Sequence, residues 1–129
     1  MSTLEIGVIV GSIRLGSLNR KLADALMRMA PQDLRLDPIR IEDLPLYNQD
    51  DDGSPVPSVV RLRDAVRRSD GIVFVTPEYN RSIPGVLKNA IDHASRPFGK
   101  NAWKGKPAGI MGVTPGKMGT SMAQQHLRN

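Results

Sequence analysis

The sequence predicts an α/β fold built on a doubly wound parallel sheet. Apolar, strand-like runs alternate with amphipathic helical segments in the order βαβ(α)βαβα. Residues 4–10 and 71–75 are almost continuously apolar, which is typical of parallel strands covered on both faces. Three strands are followed by polar loops rich in glycine or proline, and such loops share one edge of a parallel sheet. With 129 residues, we expect one domain spanning residues 1–129.

The first predicted unit is a strand, a loop and a helix. The strand at residues 4–10 leads through residues 11–17 into a helix that ends before Pro31. The second strand, residues 34–39, alternates, and its Pro38 favours an edge position in the sheet. The apolar residues at helical spacing in the first helix are Leu18, Leu22, Ala25, Leu26 and Met29.

A long connection at residues 41–57 precedes the second helix. It contains three consecutive aspartates at 50–52, without the spacing of a calcium-binding EF-hand loop, so we interpret them as a solvated acidic loop. The helix after it carries four arginines, at positions 61, 63, 67 and 68, which we interpret as a solvated face. Aromatic interleaving for nucleic acid is absent, so no nucleic-acid partner is expected.

The second half repeats the pattern of strand, loop and helix. The strand at 71–75 is followed by a loop at 76–85 and a helix over 84–95. Residues 106–113 are predicted to form the fourth strand, and a last helix is predicted to start near Thr120.

Composition limits the function classes. The net charge of +5 favours anionic partners such as phosphates. The sequence has no cysteine, so it offers neither a disulfide nor a thiolate metal site, and no metal is expected. No apolar stretch approaches the ~20 residues of a membrane span and no signal peptide is visible, so we expect a cytoplasmic protein without a membrane partner.

The loop at residues 11–17 has the ingredients of a phosphate site. Its glycines, Ser12, Arg14 and Ser17 lie at a predicted helix N-terminus, where free N–H groups and the helix dipole favour an anion. It matches neither the P-loop nor the dinucleotide-binding motif. A plain strand-to-helix turn, with Ser17 as N-cap, is the alternative that the residues leave open.

The loop at residues 76–85 is the second candidate binding segment. It combines backbone amides with Tyr79, Asn80 and Ser82, a mixture that suits a flat ring rich in heteroatoms. In open α/β sheets, ligands bind at such loops beyond the carboxyl ends of the strands.

Taken together, the motifs resemble those of the NAD(P)H-dependent FMN reductases, the flavodoxin-like group that includes quinone, chromate and azo-dye reductases. The motif at residues 76–80, Thr-Pro-Glu-Tyr-Asn, is the most specific part of this resemblance. The other matching segments, in the family's order, are residues 11–19, 44–48, 84–92 and 105–107.

The resemblance implies a flavodoxin-like FMN-binding domain. NAD(P)H would reduce the bound FMN, and a quinone, chromate, an azo compound or free flavin would then take the electrons. It also implies a homodimer or homotetramer. The residues implied to hold the FMN phosphate are Ser12, Arg14, Ser17 and Asn19. Those implied to border the flavin ring are Pro77, Glu78, Tyr79, Asn80 and Ser82, with Gly116 on its other side.

No catalytic side chain is expected, since the flavin carries the chemistry. Glu78 is interpreted as a residue that orders the loop and not as a general base. We interpret His93 and His126 as packing or surface residues, and Tyr47 and Trp103 as packing or interface residues.

The sequence departs from the family in one respect. A flavodoxin-like sheet has five strands in the order 2-1-3-4-5, whereas four are predicted here, so the chain is expected to be C-terminally incomplete relative to the family. Two alternatives stay open: a flavodoxin-like electron carrier without its own NAD(P)H turnover, and an inactive truncated fragment.

Overall fold

Four parallel strands form the sheet, with helices on both of its faces. A computed structural model of the protein describes residues 2–129. The sheet order is β2-β1-β3-β4, and all neighbouring strands are parallel, which confirms the predicted fold class. The elements in chain order are β1 (Leu4–Val10), α1 (Leu18–Met29), β2 (Leu34–Pro38), α2 (Pro57–Arg68), β3 (Gly71–Val75), α3 (Gly85–Ala94), β4 (Ala108–Met111) and α4 (Ser121–Arg128).

The edge position predicted for β2 is confirmed. Within the described residues β2 pairs only with β1, and Pro38, opposite Val8, is its last residue. Proline has no N–H to donate, so it limits further pairing at this edge.

The core has two layers of unequal size. The larger cluster lies between the sheet and helices α2 and α3, and Leu62 and Leu87 are fully buried in it. The smaller cluster joins Val8, Val10 and Val75 of the sheet to Ala23 of α1. Residues of β1 and β3 contribute to both clusters, as expected of central strands buried on both faces.

The fourth strand is shorter than predicted. Its ordered part is Ala108–Met111, whereas the apolar pattern had extended over residues 106–113. Side chains explain both ends. The Lys106 ammonium donates to the carbonyls of Arg67 and Ser69 at the end of α2, and the backbone of Val113 bonds to the Asn19 side chain.

The interpretation of the acidic loop and the arginine face as solvated is wrong for Asp52 and Arg63. Asp52 Oδ2 accepts hydrogen bonds from Arg96 Nη2 and Nε at 2.8 and 3.0 Å, and its Oδ1 lies 4.0 Å from Arg63 Nη2. Arg63 is only 6% exposed and donates from Nε to the carbonyl of His93 at 3.0 Å. Burial lowers the pKa of Arg63, and the Asp52 carboxylate opposes that effect. A short 3-10 turn, Gln49–Asp51, precedes Asp52 and was not predicted.

The packing roles predicted for Tyr47, His93 and Trp103 are confirmed. His93 is buried and meets Tyr47 edge-on, with ring centroids 5.3 Å apart. Trp103 packs against Phe74 and donates from Nε1 to the carbonyl of Ile91 at 3.0 Å. In residues 2–129, no helix combines the length and the apolar character that crossing a bilayer requires.

Candidate functional site

Three loops meet at the edge of the sheet where β1, β3 and β4 end. The amide of Gly11 donates to the carbonyl of Val75 at 2.8 Å, and the amide of Thr76 donates to that of Met111 at 2.9 Å. The ladder of hydrogen bonds thus continues one residue past β1 and β3. The loops at 11–17, 76–85 and 112–120 therefore start side by side, as parallel pairing predicts.

The first of these loops is an open cradle of backbone donors. Ser12 and Ser17 are buried, and Arg14 is exposed. Within residues 2–129, none of the amides of residues 12–16 donates to a protein acceptor. Together with Arg20, Lys21 and Glu42, the loop lines an open pocket of about 530 Å³. Unpaired N–H groups before a helix form a site for an anion.

Ser17 is the N-cap of α1, as the alternative interpretation of this loop required. Its Oγ accepts a hydrogen bond from the amide of Arg20 at 3.2 Å. The cap uses the hydroxyl only as an acceptor, so its proton is still available to a ligand. The capping and phosphate-binding interpretations are therefore compatible.

Asn19 holds two loops together. Its side-chain nitrogen donates to the carbonyl of Val113 at 3.1 Å, and its side-chain oxygen accepts from the amide of Val113 at 3.0 Å. Asn19 is buried, so these two bonds are shielded from water. The sequence did not predict this bridge between the start of α1 and the end of β4.

The loop after β3 contains a tight turn. Tyr79 and Ser82 exchange two backbone hydrogen bonds of 3.0 Å, and between them Asn80 and Arg81 have positive φ angles of 52° and 63°. Non-glycine residues adopt this conformation rarely, and it marks strain that the surroundings must hold. In the described part of the chain, the amides of residues 78, 80, 81 and 83 have no protein acceptor.

Glu78 and Ser82 connect this turn to α4. Oε1 of Glu78 accepts from the amides of Met122 and Ala123 at 2.8 and 2.9 Å. Ser82 Oγ lies 2.8 Å from His126 Nδ1. The bonds join Glu78 to α4, and its predicted role in ordering its own loop stays a prediction. His126 is a surface residue, as predicted.

The loop after β4 forms the third side of the site. Gly116 is exposed, and its amide donates to Thr114 Oγ1 at 3.2 Å. At Gly112 a Cβ would overlap the carbonyl oxygen of Thr76 and the side chain of Thr120, so only glycine lets the two loops approach this closely.

Glu42 is a site residue that sequence reasoning missed. It lines the same pocket as Arg14. Burial raises the pKa of Glu42, but hydrogen bonds from Arg40 and from backbone amides outweigh this effect and leave the pKa below its usual range. The residue is separated from that loop by a helix and a strand, so no local pattern indicated it.

None of these features resembles a metal centre. Among residues 2–129, no group of three or more His, Asp and Glu side chains lies close enough to hold a metal ion. The donors that meet at this edge are backbone amides, hydroxyl groups and guanidinium groups.

The comparisons with known proteins agree with this donor set. The model of the NADPH-dependent FMN reductase family matches residues 4–129. The chain belongs to this family. It is therefore an oxidoreductase of the NAD(P)H-dependent, FMN-containing class, and the alternative of an electron carrier without its own NAD(P)H turnover is not supported.

Similar proteins cover nearly all of this chain. A quinone reductase from Pseudomonas putida is 52% identical over 125 residues, which are 96% of this chain and 67% of the relative. A 2-hydroxy-1,4-benzoquinone reductase from Burkholderia sp. is also 52% identical, over 97% of this chain and 68% of the relative. The chain thus spans about two thirds of the length of these relatives.

A solved structure supports the same fold. FerB from Paracoccus denitrificans, a flavoenzyme NAD(P)H:(acceptor) oxidoreductase, superimposes with a TM-score of 0.94 at 47% identity. The match covers 98% of this chain and 70% of FerB.

The residues present fit FMN. The unpaired amides of residues 12–16, at the start of α1, suit a phosphate dianion. The unpaired amides of the turn after β3 suit the heteroatoms of a flavin ring. Both donor sets lie at the same edge of the sheet.

Proposed function

We propose that this chain binds FMN across the carboxyl edge of its sheet and reduces quinones with electrons from NAD(P)H. The observation that carries the proposal is the row of unpaired amides at residues 12–16, which precede α1 beside Ser12 and Arg14. A flavin phosphate matches this row in charge and in its need for donors.

The FMN phosphate is assigned to Ser12, Arg14 and Ser17. Arg14 supplies a charge-assisted hydrogen bond, and the two serines supply hydroxyl donors. Asn19 is assigned with them as a fourth phosphate ligand. Its side-chain nitrogen donates one hydrogen to Val113, which fixes the loop at 112–120, and keeps a second hydrogen for the phosphate.

The isoalloxazine ring is assigned to Pro77, Glu78, Tyr79, Asn80 and Ser82, with Gly116 on the opposite side. Glu78 contributes its backbone, since its carboxylate is engaged with α4. Unpaired amides held in fixed directions stabilise negative charge on a bound ring without reorganisation.

The chemistry that FMN supplies when bound is the transfer of two electrons from NAD(P)H to an acceptor. The protein binds and orients the cofactor and excludes water from it. No side chain is assigned as an acid or a base.

We assign quinones as acceptors, with chromate, azo compounds and free flavin as further acceptors of the same site. Two relatives that are 52% identical bear the names of quinone and benzoquinone reductases. The rim of the site supports an aromatic acceptor, because Leu15, Tyr79 and Met118 are 95%, 46% and 72% exposed on its three loops. Apolar and aromatic side chains favour a flat organic ring over a hydrated ion.

We further infer a homodimer or homotetramer in the cytoplasm. Exposed apolar side chains such as Leu46 and Phe98 offer surface for self-association. A sequence without cysteine is compatible with a reducing compartment.

An FMN titration of the 129-residue chain, followed by flavin fluorescence, tests the proposal. We expect saturable one-to-one binding and, with NAD(P)H and a benzoquinone, steady NAD(P)H oxidation. Arg14→Ala should weaken FMN binding about ten- to a hundredfold, which corresponds to one lost charge-assisted hydrogen bond. The control is Arg28→Ala, at the far end of α1.

Each alternative gives a different result. Binding without turnover would favour an electron carrier, and no binding at all would favour an inactive fragment. Equal affinities of the wild-type protein for FMN and riboflavin would show that the phosphate assignment is wrong.

A further inference from the structure

The Glu78 carboxylate lies in the loop assigned to the flavin but bonds to a distant helix. One oxygen, Oε1, accepts from the amides of Met122 and Ala123 in the first turn of α4. These residues are 44 and 45 positions further along the chain.

This contact caps the N-terminus of helix α4. A helix leaves its first N–H groups without internal acceptors, and the residue before it normally supplies one. Here Thr120 makes no side-chain cap bond, its Oγ1 accepts from Gln124 Nε2 instead, and the first turn contains no acidic residue. Glu78 therefore supplies both the missing acceptor and the negative charge that the helix dipole favours.

A second hydrogen bond joins the same loop to α4. Ser82 Oγ and His126 Nδ1 are 2.8 Å apart, and His126 lies one helical turn beyond Met122 on the same face of α4. Glu78 and Ser82 flank the strained turn, so α4 holds both of its ends.

The segment between β4 and α4 is held in turn by the start of α1 and by the loop after β3. The chain that enters α4 is fixed by the pair of bonds between Asn19 and Val113 and by the close contact of Gly112 with Thr76. Helix α4 thus starts at a fixed place relative to the loops at 11–17 and 76–85.

From these contacts we propose that Glu78 is a positioning residue of the flavin site. By capping α4, its carboxylate fixes the direction of the unpaired amides of residues 78, 80, 81 and 83, and so sets both the affinity for FMN and the reduction potential of the bound flavin. This inference rests on the proposed function, because it assumes that FMN occupies the carboxyl edge.

The test compares Glu78→Ala, Glu78→Gln and Ser82→Ala with the wild-type protein. Glutamine keeps an oxygen that can accept both bonds but lacks the charge. The matched control is Asp92→Ala, which removes a carboxylate that bonds to Lys88 on the surface of α3. Three readouts are taken: the FMN dissociation constant, the reduction potential of the flavin at saturation, and amide hydrogen exchange of residues 78–83 and 122–123 without FMN.

We expect Glu78→Ala to weaken FMN binding about tenfold, since binding groups lose affinity when their supporting contacts loosen. Its flavin potential should shift, and exchange should accelerate at both segments. Glu78→Gln should recover most of the affinity, Ser82→Ala should show a smaller loss than Glu78→Ala, and Asp92→Ala should match the wild type.

Two results would overturn the inference alone. One is an unchanged FMN affinity and potential in Glu78→Ala. The other is faster exchange at 122–123 only, because Glu78 would then cap α4 without orienting its own loop. Failure of the wild-type protein to bind FMN would overturn the proposed function as well, so the two failures are distinguishable.

Discussion

The loops after β2 and β3 are both polar and proline-bearing, yet they are held in opposite ways. The loop after β2 is bound at several points by side chains of other elements. Asn89 accepts from the amide of Tyr47 at 2.8 Å and donates to the carbonyl of Pro45 at 2.9 Å, and His93 Nε2 lies 2.7 Å from that same carbonyl. Further along this loop, Asp52 is paired with Arg96.

In the loop after β3, the turn at 79–82 is held at its two ends. Glu78 and Ser82 bond to α4, whereas the tip between them is exposed, has positive φ angles and contains unpaired amides. In the loop after β2, charged and polar side chains with several partners stabilise the fold. In the loop after β3, backbone groups without partners form part of the candidate binding site.

The largest expected effect comes from breaking the charge cluster of the loop after β2. Asp52→Ala should lower the free energy of unfolding by about 3 kcal/mol, because the buried Arg63 would lose the carboxylate that faces its guanidinium group. Urea denaturation measures the effect, and the neighbouring exposed Asp50→Ala is the control. FMN affinity of the folded variant should not change. A loss equal to that of the control would mean that the cluster contributes nothing.

A matched pair of asparagines separates stability from binding. Asn89→Ala and Asn19→Ala each remove two bonds to the backbone, and each should cost about 2 kcal/mol of unfolding free energy. Only Asn19→Ala should also weaken FMN binding, because Asn19 joins two loops of the site. Urea denaturation and FMN titration of both variants check this. Equal FMN affinities in the two variants would contradict the comparison.

Releasing the strained turn should have a smaller and opposite effect. The left-handed conformation costs a non-glycine residue about 1–2 kcal/mol, and glycine's freedom in the unfolded chain offsets part of that. Arg81→Gly should therefore raise the unfolding free energy by about 0.5 kcal/mol, whereas Arg81→Ala should not. A gain in both variants would point to charge removal and not to backbone strain.

A small effect is also expected at an exposed ion pair of the loop after β2. Arg61 donates to both oxygens of Asp43, at 2.7 and 2.5 Å, and this hydrogen bonding lowers the pKa of Asp43. The side chains of Arg61 and Asp43 are 41% and 34% exposed. Solvent screening therefore limits the loss of unfolding free energy in Asp43→Asn to below about 1 kcal/mol at neutral pH.

The sign of its pH dependence follows from the lowered pKa. The stabilisation is fully present above the ordinary aspartate pKa and is lost as the pH falls through the lowered pKa of the folded state. Urea denaturation at neutral pH and in acid should show the difference between Asp43→Asn and the wild type shrinking in acid. A difference that grows in acid would contradict this assignment.

Local patterns predicted most of the fold. The strands at 4–10 and 71–75 were predicted with their observed ends, since continuous apolar runs are a strong signal. The three loops of the site were also predicted, because parallel strands bring their carboxyl ends together. The roles of Asp52 and Arg63 were not predicted, since their partners lie in other elements.

The same reason limits what the sequence predicted of the site. The motif at 76–80 predicts a flavin-binding loop, but nothing in it indicated that Glu78 would bond to α4. Asn19 lies at the start of α1, where the sequence alone predicts a donor to a phosphate. Only the position of Val113 shows that Asn19 also bridges two loops. Contacts between residues far apart in sequence depend on packing and not on local periodicity.

The bond from Glu78 to α4 also has a consequence for biosynthesis. A ribosome adds about 5–20 residues per second, so several seconds separate the synthesis of Glu78 from that of Met122, 44 residues later. During that interval the first three strands can pair, but the turn at 79–82 lacks the helix that holds it. The turn at 79–82 therefore reaches its final geometry only after α4 has emerged from the ribosome.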